Sequence, residues 1–216
     1  MALVLSPEET RILGCLIEKE RTTPDQYPLS LNSVTTACNQ STNRDPVVGY
    51  EEKVVALGLD DLRGKKLVTQ LWGAGSRVQK YRHNLLDHYD LNPREVALVC
   101  VLLLRGPQTL GELRIRTERM HAFANIGEVE ECLRALGEGA DPLVRVLPPR
   151  PGQKEKRFVQ LLSGEPVLDE PAAAEFHEVA PPAPTRVEML EAEVSALKTE
   201  MAALREEFAR FRKQFE

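Results

Sequence analysis

One stretch of this chain is written twice. Leu5 opens LSPEETRILGCLIE and Leu91 opens LNPREVALVCVLLL, the same order of caps and apolar positions 86 residues later. Ser6-Pro7-Glu8-Glu9 has the chemistry of a capping box: a hydroxyl at the N-cap, proline at the first helical position and a carboxylate three residues after the cap. Asn92-Pro93-Arg94-Glu95 repeats it with an amide as the cap. Ile12, Leu13, Leu16 and Ile17 then form an apolar stripe, answered by Leu98, Val99, Leu102 and Leu103. A period this long is too large for a solenoid and points to duplicated domains of about 80 residues.

Each copy continues in the same order. In the first, Tyr27-Pro28-Leu29 is too short and proline-bearing for anything but an edge strand. Ser30 caps a short helix through Cys38, and a longer helix runs from about Tyr50 to Arg63. Leu67–Trp72 and Val78–Arg82 alternate as strands around Gly73-Ala74-Gly75-Ser76, a hairpin. In the second copy Leu110–Thr117 is the short helix, and Ile126, Val129, Leu133 and Leu136 stripe the longer one. Leu143–Leu147 and Arg157–Leu162 are its strands. Helix, short strand, helix, turn, helix, hairpin is the order of a winged helix-turn-helix domain. A generic α+β domain shares parts of that order, but two copies favour the winged-helix reading. The expected fold is therefore α+β, mainly α: a first winged-helix domain over 1–88, a second over 89–163, a Pro/Ala/Glu-rich linker over 164–185 and a coiled-coil helix over 186–216.

The coiled coil is read from its heptads. Val187, Leu190, Val194, Leu197, Met201, Leu204, Phe208, Phe211 and Phe215 fall at alternating spacings of three and four. In a parallel pair the flanking charges meet as Arg186–Glu191, Glu193–Lys198, Glu200–Arg205 and Glu207–Arg212, all attractive. The antiparallel arrangement sets like charges together, so the expectation is a parallel homodimer. An amphipathic helix folded back on its own chain is the alternative.

Charge is segregated. Residues 1–162 carry 22 Lys/Arg against 21 Asp/Glu, and residues 163–216 carry 6 against 12. The overall acidity lies in the tail and does not exclude an anionic partner for the front of the chain. Between Arg63 and His83 stand Arg63, Lys65, Lys66, Arg77, Lys80 and Arg82 with no acid. The second hairpin offers Arg145, Arg150, Lys154, Lys156 and Arg157 against one Glu155. Wings of this fold lie along the phosphate backbone, where Lys and Arg gain affinity by releasing counterions. The candidate nucleic-acid-binding residues are thus Arg44, Lys65, Lys66, Arg77, Lys80, Arg82, Arg150, Lys154 and Lys156, with Arg114, Arg116 and Arg119 placed beside loops to assist. Ordinary solubilising charge is the competing account. Against base-specific readout, the helices that would enter the major groove carry Glu51 and Glu52, or Glu128, Glu130 and Glu131.

Catalytic signals are poor. The run from Gly58 to Gly64-Lys65 is one residue too long for a phosphate-binding loop, and Lys66 replaces its Ser/Thr. His83, His88, His121 and His177 have no metal-ligand spacing, and Cys15, Cys38, Cys100 and Cys132 read as buried thiols in a reducing cytoplasm. No enzyme activity, cofactor or metal is expected. No apolar run approaches the roughly 18 residues of a membrane span, and MALVLSPEET lacks the features of a signal peptide.

Three segments, LSPEETRILGCLIEKE, VTTACNQSTNRDP (Val34–Pro46) and GPQTLGELRIRTERMHAF (Gly106–Phe123), resemble the YceH-like proteins of Gram-negative bacteria. The resemblance spans about residues 5–165. It implies tandem winged-helix domains and a bacterial cytoplasmic home, and it implies no established activity or site residues. The polar motif around Thr35–Asn43 reads either as a contact surface or as a turn whose side chains satisfy backbone groups, the latter favoured. The function expected from all this is a dimeric DNA-associated regulatory protein. A protein-interaction scaffold without DNA binding is the alternative.

Overall fold

Helix α1 (Pro7–Thr22) begins where its capping box places it. Ser6 N–H donates to Glu9 Oε2 at 2.6 Å, and Glu9 N–H donates to Ser6 Oγ at 3.2 Å. A short 3-10 turn (Pro24–Gln26) leads into β1 (Leu29–Ser30), α2 (Leu31–Cys38), α3 (Glu52–Gly64), β2 (Val68–Trp72) and β3 (Gln79–His83). Helix α4 (Leu85–His88) ends the first copy, and the second follows as α5 (Pro93–Arg105), α6 (Leu110–Thr117), α7 (Ile126–Gly137), β4 (Val144–Leu147) and β5 (Arg157–Gln160). The protein is a mixed α+β chain, and these elements come from a computed structural model that describes residues 4–72, 78–148, 155–166 and 201.

Both copies use the same sheet topology. In the first, β3 is central, with β2 on one side and the two-residue β1 on the other, all antiparallel. In the second, β4 pairs with β5, and Gln108 takes the place of β1 through a reciprocal pair of backbone bonds with Phe158 at 3.0 and 2.7 Å. Proline beside each short edge segment keeps it short, as the sequence pattern implies. Helix α4 is not foreshadowed by any periodicity; its single turn is too short to show one.

The repeat folds as two halves of one body, Met1–Leu168. A single apolar core runs from Leu5 through α1, α2 and α3 into α5, α7 and the second hairpin. Helices α1 and α5, the two copies of the repeated segment, pack directly on each other. Gly14 and Cys100 occupy equivalent positions in the repeat, and Cys100 Sγ donates to the Gly14 carbonyl at 3.4 Å. A side chain at Gly14 would meet Leu104 Cδ2 at 2.8 Å and Leu103 Cβ at 3.1 Å, so glycine is what lets the helices approach. The N-terminus closes the body, with Leu5 N–H donating to Leu162 O at 2.8 Å. Cys15, Cys38, Cys100 and Cys132 are all free and buried.

The second unit, Asp169–Glu216, is described only at Met201, which is helical and half exposed. The other expected heptad positions, Val187, Leu190, Val194, Leu197, Leu204, Phe208, Phe211 and Phe215, and all but Gly164–Pro166 of the expected linker, lie outside the described residues. No helix among the described residues is long and apolar enough to cross a membrane.

Candidate nucleic-acid interface

The candidate interface centres on the hairpin of the first copy. Register pairs Lys80 with Leu71 and Arg82 with Thr69, so these four share one face of the sheet. Tyr81 points the other way, into the core. Lys80 and Arg82 are both exposed, about two strand residues or ~7 Å apart. Neither makes a hydrogen bond or a close ion pair among the described residues, although Glu20 lies near enough to Arg82 to feel its charge.

Lys66 stands at the end of α3. Leu67 N–H donates to Leu62 O at 2.9 Å and Lys66 N–H to Arg63 O at 2.9 Å, the two bonds of a Schellman stop. The residue that must turn left-handed is Lys66, with φ of 61°. Glycine usually fills this position, because a side chain there costs about 1–2 kcal/mol. Asn84 Nδ2 reaches the Lys66 carbonyl at 3.2 Å and His88 Nε2 lies 3.1 Å from it, holding the lysine in place. The side chain of Lys66 is exposed and unpaired among the described residues.

Two expected contacts are corrected. Arg44 is no surface residue: its side chain is fully buried, with Nη2 donating to Glu18 Oε2 at 2.6 Å, Nη1 to Oε1 at 3.2 Å and Nε to Ala37 O at 3.0 Å. Lys65 is neutralised, since its Nζ lies 2.6 Å from both Glu9 oxygens and donates to Val4 O at 2.8 Å. Both lie near the surface in sequence terms, and each finds a buried carboxylate on α1. Arg77, Arg150 and Lys154 lie outside the described residues.

The second hairpin is less basic than its sequence implies. Arg145 pairs with Glu165 and Arg157 with Glu112, leaving Lys156 as the exposed, unpaired cation among its described residues. Around α6, Arg116 pairs with Glu112, Arg119 with Glu18, and Arg114 reaches Ala124 O. The exposed side of α3 carries Glu52, Lys53, Asp60 and Asp61 around the exposed Leu57, a poor surface for phosphate.

The polar motif is a clamp between the copies. Asn39 exchanges two bonds with Tyr50, its Nδ2 donating to Tyr50 O at 2.8 Å and its Oδ1 accepting from Tyr50 N–H at 2.7 Å. Arg11 donates to Pro46 O at 2.6 Å, Arg105 to Asn43 Oδ1 at 2.8 Å, and Asp45 N–H to Leu104 O at 3.0 Å. Arg119 brings the second copy onto Glu18 at 2.8 Å. Sequence reasoning passed over Trp72, which ends β2 and is 67% exposed. Its place at the end of β2, next to a Gly-rich run in the sequence, was the available signal.

Residues 5–153 match a family model described as protein of unknown function, DUF480. A UPF0502 protein of Geobacter sulfurreducens is 51% identical over 190 residues, covering 88% of this chain and 84% of that protein. A UPF0502 protein of Pelobacter propionicus is 56% identical over 165 residues, covering 76% and 75%. One of Citrifermentans bemidjiense is 49% identical over 195 residues, covering 90% of each.

Proposed function

The chain belongs to the DUF480 family of bacterial proteins, and from that premise we propose that it is a non-enzymatic, tandem winged-helix protein that associates with DNA through its first hairpin. The observation that carries this reading is the pair Lys80 and Arg82, exposed and side by side on the solvent face of β3. Lys66, kept in a backbone conformation that glycine adopts at lower cost, adds a third free cation at the base of the same hairpin. Cations on an exposed β-ribbon gain affinity from phosphates whatever the base sequence. The acids on α3 oppose base readout, so binding is salt-sensitive and weakly sequence-selective. A second copy, paired through residues 186–216, would present two such hairpins to one duplex.

Anisotropy of a labelled duplex titrated with the full chain tests the reading. Binding at low salt in the micromolar range is expected. Replacing Lys80 and Arg82 with Ala should lower the slope of log K against log salt by about 2, close to 0.9 for each phosphate contact. No binding at low salt, or an unchanged slope in the variant, sinks the proposal. Leu57, exposed among acids on α3, favours a second reading in which that helix docks another protein. A partner lost on charge-neutral substitution of Leu57 but insensitive to nuclease would support it.

A further inference from the structure

Trp72 forms one wall of a groove of about 860 Å³ between β2 and the end of α3. Register places its side chain on the same face of the sheet as Gln70 and Tyr81, opposite to Lys80 and Arg82. Gln70, Asp60, Arg63, Lys66 and Asn84 are among its other lining residues. Arg63 is spent on Asp60, to which its Nη1 donates at 2.6 Å, so the free cation at this rim is Lys66. We propose that the groove receives an unpaired stretch of nucleic-acid strand running along β2, with the Trp72 indole stacked on a base at one end and Lys66 on a phosphate further along the strand. This rests on the first hairpin being a nucleic-acid surface, and it names the kind of nucleic acid.

The chemistry of the groove selects that occupant. An aromatic face and a cation spaced along one groove are how proteins hold single strands, because every base has a π-face and every nucleotide a phosphate. Along the length of an intact duplex the bases are already stacked on one another, so an indole two-thirds exposed finds no base face to meet there. Most of the remaining lining is polar, and the Gln70 amide offers a base edge both a donor and an acceptor. An apolar peptide side chain would find little beside Trp72 and Val68 to cover it. Asn84 acts as a positioning residue: its Nδ2 donates to Lys66 O and, at 2.6 Å, to Thr69 Oγ1, tying the Lys66 turn to β2. The acids Glu52 and Asp61 keep a duplex from seating along α3, which leaves the groove beside Trp72 for a strand terminus or fork.

Trp72 is the only tryptophan in the chain, so its own emission reports on the groove. The full chain is titrated with a blunt duplex, the same duplex bearing a single-stranded overhang of about six nucleotides, and free AMP. The overhang should tighten binding about tenfold, the order expected for stacking of a base on an aromatic side chain, and should quench the emission. Trp72→Ala should remove that tenfold advantage while blunt-duplex affinity stays the same, and Trp72→Phe should restore most of it. Equal affinity for the two DNAs overturns this inference and leaves the DNA reading standing. So does Trp72→Ala weakening both forms alike, which would make the indole structural. Quenching by free AMP at the concentrations where the overhang acts also overturns it, assigning the groove to a free nucleotide. Binding of neither DNA at low salt removes both readings together.

Discussion

Glu18 and Arg44 meet on the buried side of α1, where neither side chain exceeds 2% exposure. Burial by itself would raise the Glu18 carboxyl, but the hydrogen bonds and charge of Arg44, with Lys19 and Arg119 adding, hold it below the ordinary carboxylate value. A folded-state pKa below the unfolded one means that this pair stabilises the fold above the unfolded value of about 4.3. That stabilisation is lost as pH falls through the depressed folded value. Urea midpoints followed downward from pH 6 should therefore drop more steeply for the natural chain than for Glu18→Gln. At neutral pH, Glu18→Ala leaves the Arg44 guanidinium buried without a countercharge and should cost about 3–5 kcal/mol. Glu18→Leu combined with Arg44→Met should recover most of that loss, because an apolar pair of similar volume removes the buried charge altogether. If the double variant is as unstable as the single one, the arginine has a structural duty beyond the ion pair. The five polar contacts it makes to Ala37, Gln40, Asn43 and Glu18 would then be the reason.

Helices α1 and α5 carry the same sequence pattern and use it twice over: each stripe fills its own half of the core, and the two helices also bury each other. Contact between Gly14 and Cys100, which correspond in the repeat, is what a pseudo-two-fold pairing of the copies produces. Gly14→Val would place a branched side chain against Leu104 and Leu103, already within 3.1 Å of where its Cβ must sit. Overpacking of this kind costs about 1–3 kcal/mol, and loss of the helix-weakening glycine returns only part of it. Thermal unfolding of the variant should show the deficit as a single cooperative transition at lower temperature. Two separated transitions would mean that the halves fold independently. Apart from α4 and the 3-10 turn, element identity and order were legible from the sequence: caps at Ser6, Ser30 and Asn92 all bond as their residue types imply. So were the stripes, because helix spacing is a local property. The fusion of the copies was not, since a stripe of leucines reads the same whether it meets its own domain or a neighbour.

At the scale of the whole molecule, pairing through residues 186–216 is a proposal drawn from heptads and charge pattern. Light scattering on the intact chain should return a dimer. Replacing Leu197 and Leu204 with Lys would set like charges at the seam and should release monomers. A monomer of the natural chain at high micromolar concentration would overturn the dimer. If the dimer holds, the same double substitution should weaken duplex binding far more than it changes the affinity of a single hairpin. Two linked weak sites act through effective concentration rather than through any new contact.

Short-range interactions made part of this protein readable in advance. A capping hydroxyl, the carboxylate three residues on and the apolar residues at helical spacing all act within a turn or two of the chain. The hairpin of Leu67–Arg82 and its exposed Lys80 and Arg82 follow from period-two alternation in the same way. The fate of the remaining basic residues rested on long-range partners. Arg44 is claimed by a carboxylate 26 residues away and Lys65 by one 56 residues away, while Arg119 crosses 101 residues to the same Glu18. Trp72 is exposed because the end of α3 leaves a groove beside it rather than a lid over it. A charge or an indole has no intrinsic address: whether it meets water, a carboxylate or a ligand is decided by which distant surfaces the fold brings against it, and only the packed tertiary structure contains that information.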